Sequence, residues 1–263
     1  MIIELSFLHY AWIVGLLASV ACGVIGAYVV VKRISFISGS IAHAAFGGIG
    51  LSYFLGIAPL LGATAFGLIS AMVMGAIRYR YQQQEDTLIG AIWAVGMALG
   101  LLFIHLSSGY ASDLFGYLFG NLLLSTAKET GMILGLNALI LTVVIRFFRG
   151  FQAITFDEEY AKVLNLPVFA LYLGLLALIA LTTVILIRVV GVILVIALLT
   201  LPAATAKNFT TNLKHLQIAA VLIGMSATSL GLWLSYIFNL PTGPLIILVT
   251  AFLYVGSFFL KPR

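Results

Sequence analysis

His43 is the ionisable side chain set deepest in an apolar stretch, and its neighbours at helical spacing are Gly39, Ser40, Gly47 and Gly50. Such a small-residue face abuts other protein rather than lipid, and a polar group there is costly unless it is partnered. Neutral imidazole is also the side chain most used to bind transition metals. Two readings stand: a ligand on an ion's path, or a histidine hydrogen-bonded to a neighbouring helix carbonyl. Asp113 follows Ser112 and opens a Gly-rich segment at 114–124. It suits either a helix N-cap or the mouth of a path that draws in a cation. Asp157, Glu158 and Glu159 stand together in a polar island, FQAITFDEEYAKVLNLP, at 151–167. They are either a solvated face or a handle for a partner. His9, His105 and Arg188 read as side chains at an outer membrane surface, Arg188 as an anchor at its lip.

The elements that position these groups follow from periodicity. In the polar island Phe156, Tyr160, Val163 and Leu164 fall on one helical face, so a short amphipathic helix is expected near 156–166. Acidic residues crowd its first turn, where the helix dipole favours them, and Pro167 stops it. Windows of roughly 20 apolar residues mark membrane helices. They lie near 10–31, 36–56, 59–77, 87–106, 130–148, 168–187, 190–206, 216–238 and 243–260, nine in all, within a single membrane domain covering 1–263. The LFGYLFGNLLL segment is too short to cross and is expected to be a half-helix at the outer surface. Gly96/Gly100, Gly116/Gly120 and Gly131/Gly135 are spaced for close helix contact. Pro202 should bend the seventh span, with Thr200 and Thr205 helping to satisfy the freed backbone groups.

Composition excludes most other classes. Hydrophobic residues make up 63% of the chain and charged residues 8%, against about 25% charged in soluble domains, and the mean hydropathy is +1.20. The net charge of +5 is scattered in short clusters with no basic face, which argues against nucleic acid. Cys22 stands alone, so neither a disulfide framework nor a cysteine metal cluster can form. Positive charges follow the first apolar run instead of preceding it, so that run reads as a first span and not a signal peptide. With the N-terminus outside and the C-terminus inside, eleven of the 13 basic residues lie in the cytoplasm; only Lys128 and Arg188 do not. No G-x-x-x-x-G-K-[ST], H-E-x-x-H or G-x-S-x-G motif occurs. The chain is therefore expected to be non-catalytic, and a transport protein of this kind needs a motor from elsewhere.

Six segments in order carry a resemblance: GAYVVVKRISFISGSIAHAAFGGIG (26–50), EDTLIGAIWAVGMALGL (85–101), DLFGYLFGNLL (113–123), FDEEYAKVLNLP (156–167), VGVILVIALLTLPAATA (190–206) and PTGP (241–244). Together they resemble the metal-type permeases of bacterial ABC importers for zinc, manganese and iron(II). The resemblance implies an all-α membrane protein with the fold of cobalamin-importer (type II) permeases, less their first helix. It implies a homodimer around one path, a cytoplasmic ATPase dimer, and an extracytoplasmic metal-binding protein. The site would be the inner membrane of a bacterium or archaeon, with the divalent ion as cargo and no resident cofactor.

On this resemblance Phe156, Asp157, Glu158, Glu159, Tyr160, Ala161 and Leu164 form a coupling helix for the ATPase. Residues 113–124 form an outer gating helix, and Gly39, Gly47, Gly116, Gly120, Asn121 and Pro202 serve gating or packing. His43 takes the pathway position and Asp113 the outer mouth. The family's aspartate four residues before that histidine is here Gly39, and the further histidine of some zinc-type members is here Ala94. Zinc and manganese stay level, with iron(II) behind. Two rivals remain: an importer of a metal chelate or cobalamin, and a stand-alone channel or intramembrane enzyme.

Overall fold

The computed structural model describes residues 2–81, 85–107, 116, 120 and 122–260, with side chains from His9 onward except at 81, 85 and 86. Its helices are α1 (Ile2–Val31), α2 (Ser35–Leu55), α3 (Pro59–Tyr81), α4 (Glu85–Leu106), α5 (Ala127–Phe156), α6 (Glu158–Val163), α7 (Val168–Val190), α8 (Val192–Lys207), α9 (Leu213–Phe238) and α10 (Thr242–Leu260). A 3-10 turn at Leu122–Leu124 precedes α5, and no strand occurs among the described residues. Among the described residues seven helices are long and apolar enough to cross a membrane: α1, α3, α4, α5, α7, α9 and α10. The other two expected spans, α2 and α8, also fold as helices. Serine, glycine and histidine dilute α2, and α8 has only 16 residues.

Several boundaries differ from expectation for local reasons. The loop expected around Arg188 is absent: Arg188 sits in the last turn of α7, and the chain turns on Gly191 alone, at φ +81°. A residue with a Cβ is strained at that angle, which glycine adopts freely. Helix α5 runs well past 148, but its φ/ψ leaves the helical region at Phe147. Helix α8 continues through Pro202. Its threonine hydroxyls bond the Ile196 and Leu201 carbonyls, not the Leu198 carbonyl that proline leaves without its helical donor.

The chain divides into two compact units, each discontinuous in sequence: residues 1–33, 115–143 and 186–263 form the first, residues 34–114 and 144–185 the second. In the first, α1 packs on α8 and α9. Gly26 abuts the Leu199 carbonyl, leaving no room for a Cβ. Ser19 Oγ of α1 lies 2.9 Å from Thr228 Oγ1 of α9, and Asn137 Nδ2 of α5 donates to the carbonyls of Leu17 on α1 and of Ile133 on its own helix, at 3.0 Å each. Thr126 and Glu129 form a reciprocal cap at the start of α5, and Glu129 also meets Arg188 at 3.5 Å. Gly120 (φ +64°) lies against the Val190–Gly191 backbone and donates to Gly116 O at 2.8 Å. Asp113 and Asn121 lie outside the described residues.

In the second unit α2 packs against α3 and α4. Gly48 and Gly62 bring the α2 and α3 backbones into contact, and Gly96 and Gly100 do the same for α4 against Ala44, Phe46 and Gly47 of α2. Small residues allow this approach between membrane helices. Gly131 and Gly135 differ from the expected close contact: a Cβ on either meets nothing within 4 Å among the described residues.

Candidate functional site

His43 sits in the middle of α2, held there by that close packing. Its Nδ1 lies 2.7 Å from Gly39 O, one turn back on its own helix. A carbonyl only accepts, so Nδ1 carries the proton, and the neutral ring keeps a lone pair on Nε2. A metal-binding histidine commonly donates its other ring nitrogen in this way, which fixes tautomer and ring plane. The expected hydrogen bond to a neighbouring helix therefore goes instead to the helix that bears the residue. The residue in place of the family's aspartate contributes its backbone.

The second support for the ring comes from Trp93 on α4, which stacks on the imidazole with centroids 3.9 Å apart and planes 26° from parallel. Trp93 remains 39% exposed, so one face holds His43 while the ring stays open to its surroundings. Phe46 adds a tilted contact at 6.5 Å. One turn from His43, Ser40 Oγ donates to Ile89 O at 3.0 Å and ties α2 to α4. Gly47 leaves space for the Phe66 ring and the Gly96 carbonyl. Among the described residues no three His, Cys, Asp or Glu side chains converge to hold a metal ion. His9 and His105 are both exposed, His105 in the last turn of α4.

The acidic stretch is resolved into distinct roles. Phe156 ends α5 and does not belong to the short helix, because Asp157 takes extended φ/ψ and its carboxylate accepts from Tyr160 N at 3.0 Å. Helix α6 is thus Glu158–Val163, shorter than the expected 156–166, and is closed by Asn165 at φ +56°. Ala161 is buried, whereas Tyr160, Val163 and Leu164 are exposed, Val163 by 77%. Glu159 (83% exposed) meets Lys162 at 2.7 Å. That hydrogen bond, with the carboxylate's charge, holds the Lys162 ammonium above the ordinary lysine range. Glu158 instead reaches Arg78 at the C-terminal end of α3, at 3.1 Å, with both side chains 26% exposed.

Sequence reasoning missed Trp93 and the Arg78–Glu158 pair. An aromatic residue among small ones on α4 was a weak signal for the first. The second spans 80 positions, a separation at which pairing leaves no local trace.

The model of a family described as the ABC 3 transport family matches residues 4–261. The chain is 45% identical over 255 residues to an uncharacterized membrane protein of Synechocystis sp., covering 97% of this chain and 91% of that one. It is 31% identical to the manganese transport system membrane protein MntC of Listeria monocytogenes, over 100% of this chain and 93% of the relative. Among solved structures, a chain of PsaBC from Streptococcus pneumoniae in complex with Fab superposes with a TM-score of 0.86 at 33% identity, covering 97% of this chain and 92% of that one.

Proposed function

This chain belongs to the ABC 3 transport family, and from that premise we propose that it is the membrane permease of an ATP-driven importer for a divalent transition metal ion. The observation that carries the reading is His43, its tautomer set by Gly39 O and its ring face by Trp93, in the same compact unit as the outward-facing surface of α6. A cargo site and a docking surface on one unit are what an energised permease needs.

Nine membrane crossings follow from the seven long apolar helices together with α2 and α8. Helix α8, about 24 Å long, is short for a hydrocarbon core of about 30 Å, but it packs on α1, α9 and α10. Helix α2 likewise shows its small, polar residues to α3 and α4. Neither helix must be apolar all round. The distribution of basic residues supports an N-terminus outside, with the C-terminus and α6 in the cytoplasm of a bacterial or archaeal cell.

With one imidazole and no carboxylate at Gly39, a single chain offers a passing ion one strong ligand. Two copies around a shared path would offer two, which suits transient passage better than a resident site. A cytoplasmic ATPase dimer grips α6, and an extracytoplasmic binding protein delivers the ion. Manganese is favoured by the named relative in Listeria, with zinc next, since imidazole suits it. The test is uptake of radioactive manganese(II) and zinc(II) by cells holding the whole system. His43→Ala should lower uptake on the order of tenfold or more with the ATPase still bound; undiminished uptake removes His43 from the path.

A further inference from the structure

Helix α6 is joined covalently to α5 and, through a short turn, to α7. The structure adds a third tie through Arg78, whose guanidinium donates from Nη1 to Glu158 Oε1 at 3.1 Å and lies over the Tyr172 ring of α7, 4.5 Å from its centroid. Three helices thus meet at one planar cation. Each partner is placed by its own helix: Arg78 is in the last turn of α3 and Glu158 in the first turn of α6, where the dipoles favour those charges. Tyr172 is 1% exposed and gives the cation a fixed platform. An arginine at such a stacked contact is not replaceable by lysine without loss.

Geometry separates the two faces of α6. At 3.6 residues per turn, Tyr160, Val163 and Leu164 cluster on the side opposite Glu158. The outward surface and the Arg78 contact therefore lie back to back, and a push on one is received by the other. Helix α3 continues the connection. It meets α2 through the Gly62–Gly48 backbone contact and through Phe66 against Gly47, one turn from His43. A Cβ at Gly48 or Gly62 would overlap the facing backbone, so the two helices are in close contact there and movement of α3 bears directly on α2.

We propose that Arg78 is a positioning residue that transmits displacement of α6 to α3, and through it to the helix bearing His43. The inference rests on the reading of α6 as the surface gripped by an ATPase.

The test uses the complete complex of this chain, its ATPase and its binding protein in proteoliposomes, with manganese(II) as the probe. Uptake and ATP hydrolysis are measured together. Arg78→Ala should leave ATPase association and hydrolysis near their original levels while uptake per ATP falls on the order of tenfold. Arg78→Gln, a milder change, should fall in the same direction, and Arg78→Lys should recover part of the ratio. Reversing the pair, Arg78→Glu with Glu158→Arg, should restore the ratio lost in Arg78→Glu alone. An unchanged ratio in Arg78→Gln overturns the proposal. So does a proportional loss of uptake and hydrolysis in both Arg78→Ala and Arg78→Gln, which would make Arg78 a brace for the fold. If the unaltered chain fails to bind the ATPase, the reading of α6 fails first.

Discussion

Trp93 shows how a side chain on a neighbouring helix can fix the plane of a ring. The Gly39 carbonyl fixes where the His43 proton sits, but a hydrogen bond alone leaves the ring free to tilt about it. Stacking on Trp93 at 3.9 Å removes that freedom. An aromatic contact of this kind is worth about 0.5–1.5 kcal/mol, or about two- to tenfold in an equilibrium constant. Trp93→Leu should therefore lower metal uptake about two- to tenfold, and Trp93→Phe by less, with insertion and ATPase binding intact. Radioactive manganese(II) uptake, normalised to the amount of chain in the membrane, measures it. Histidine in a small-residue face was legible from sequence because burial of a polar group needs a reason. Its ring support was not, since position 93 lies on another helix and an aromatic residue among small ones is only a weak signal of the pairing.

At the level of elements, α2 is fixed by contacts that tolerate no added atoms. A Cβ at Gly48 would run into the Gly62 backbone, which cannot rotate away as a side chain could. Gly48→Val should destabilise the purified protein by at least about 1–3 kcal/mol, seen as a lower midpoint in thermal unfolding in detergent. Gly135→Ala, where a new Cβ meets open space, should leave the midpoint unchanged or slightly raised. Gly96/Gly100 and Gly131/Gly135 share one spacing in the sequence; that the first pair packs closely and the second does not depends on tertiary neighbours. The short helix α6 was legible from its acidic start and Pro167, yet its acids divide in a way that charge alone hides. Asp157 caps the helix, Glu158 turns to Arg78 and Glu159 stays in solvent. On the proposed function, docking would belong to the apolar face: Tyr160→Asp or Val163→Asp should abolish co-purification of the ATPase, whereas Glu159→Lys should leave it intact. Glu158→Lys should uncouple uptake from hydrolysis, because it sets a cation against Arg78.

For the whole molecule, hydropathy located the seven long apolar helices found among the described residues, since a bilayer imposes length and apolarity on each span. The division into two units was not legible, because each is assembled from segments far apart in sequence. One consequence is functional: α6, Arg78, Trp93 and His43 all belong to the same unit. A force applied to α6 acts on the unit that holds the histidine. All of this requires α6 to lie in the cytoplasm, where ATP is hydrolysed. The direct measurement replaces the buried Cys22 with serine, introduces Val163→Cys at the exposed position, and adds a membrane-impermeant maleimide. The account predicts no labelling of intact cells, labelling of inside-out vesicles, and protection of that thiol when the ATPase is bound. Labelling of residue 163 from outside intact cells would contradict it.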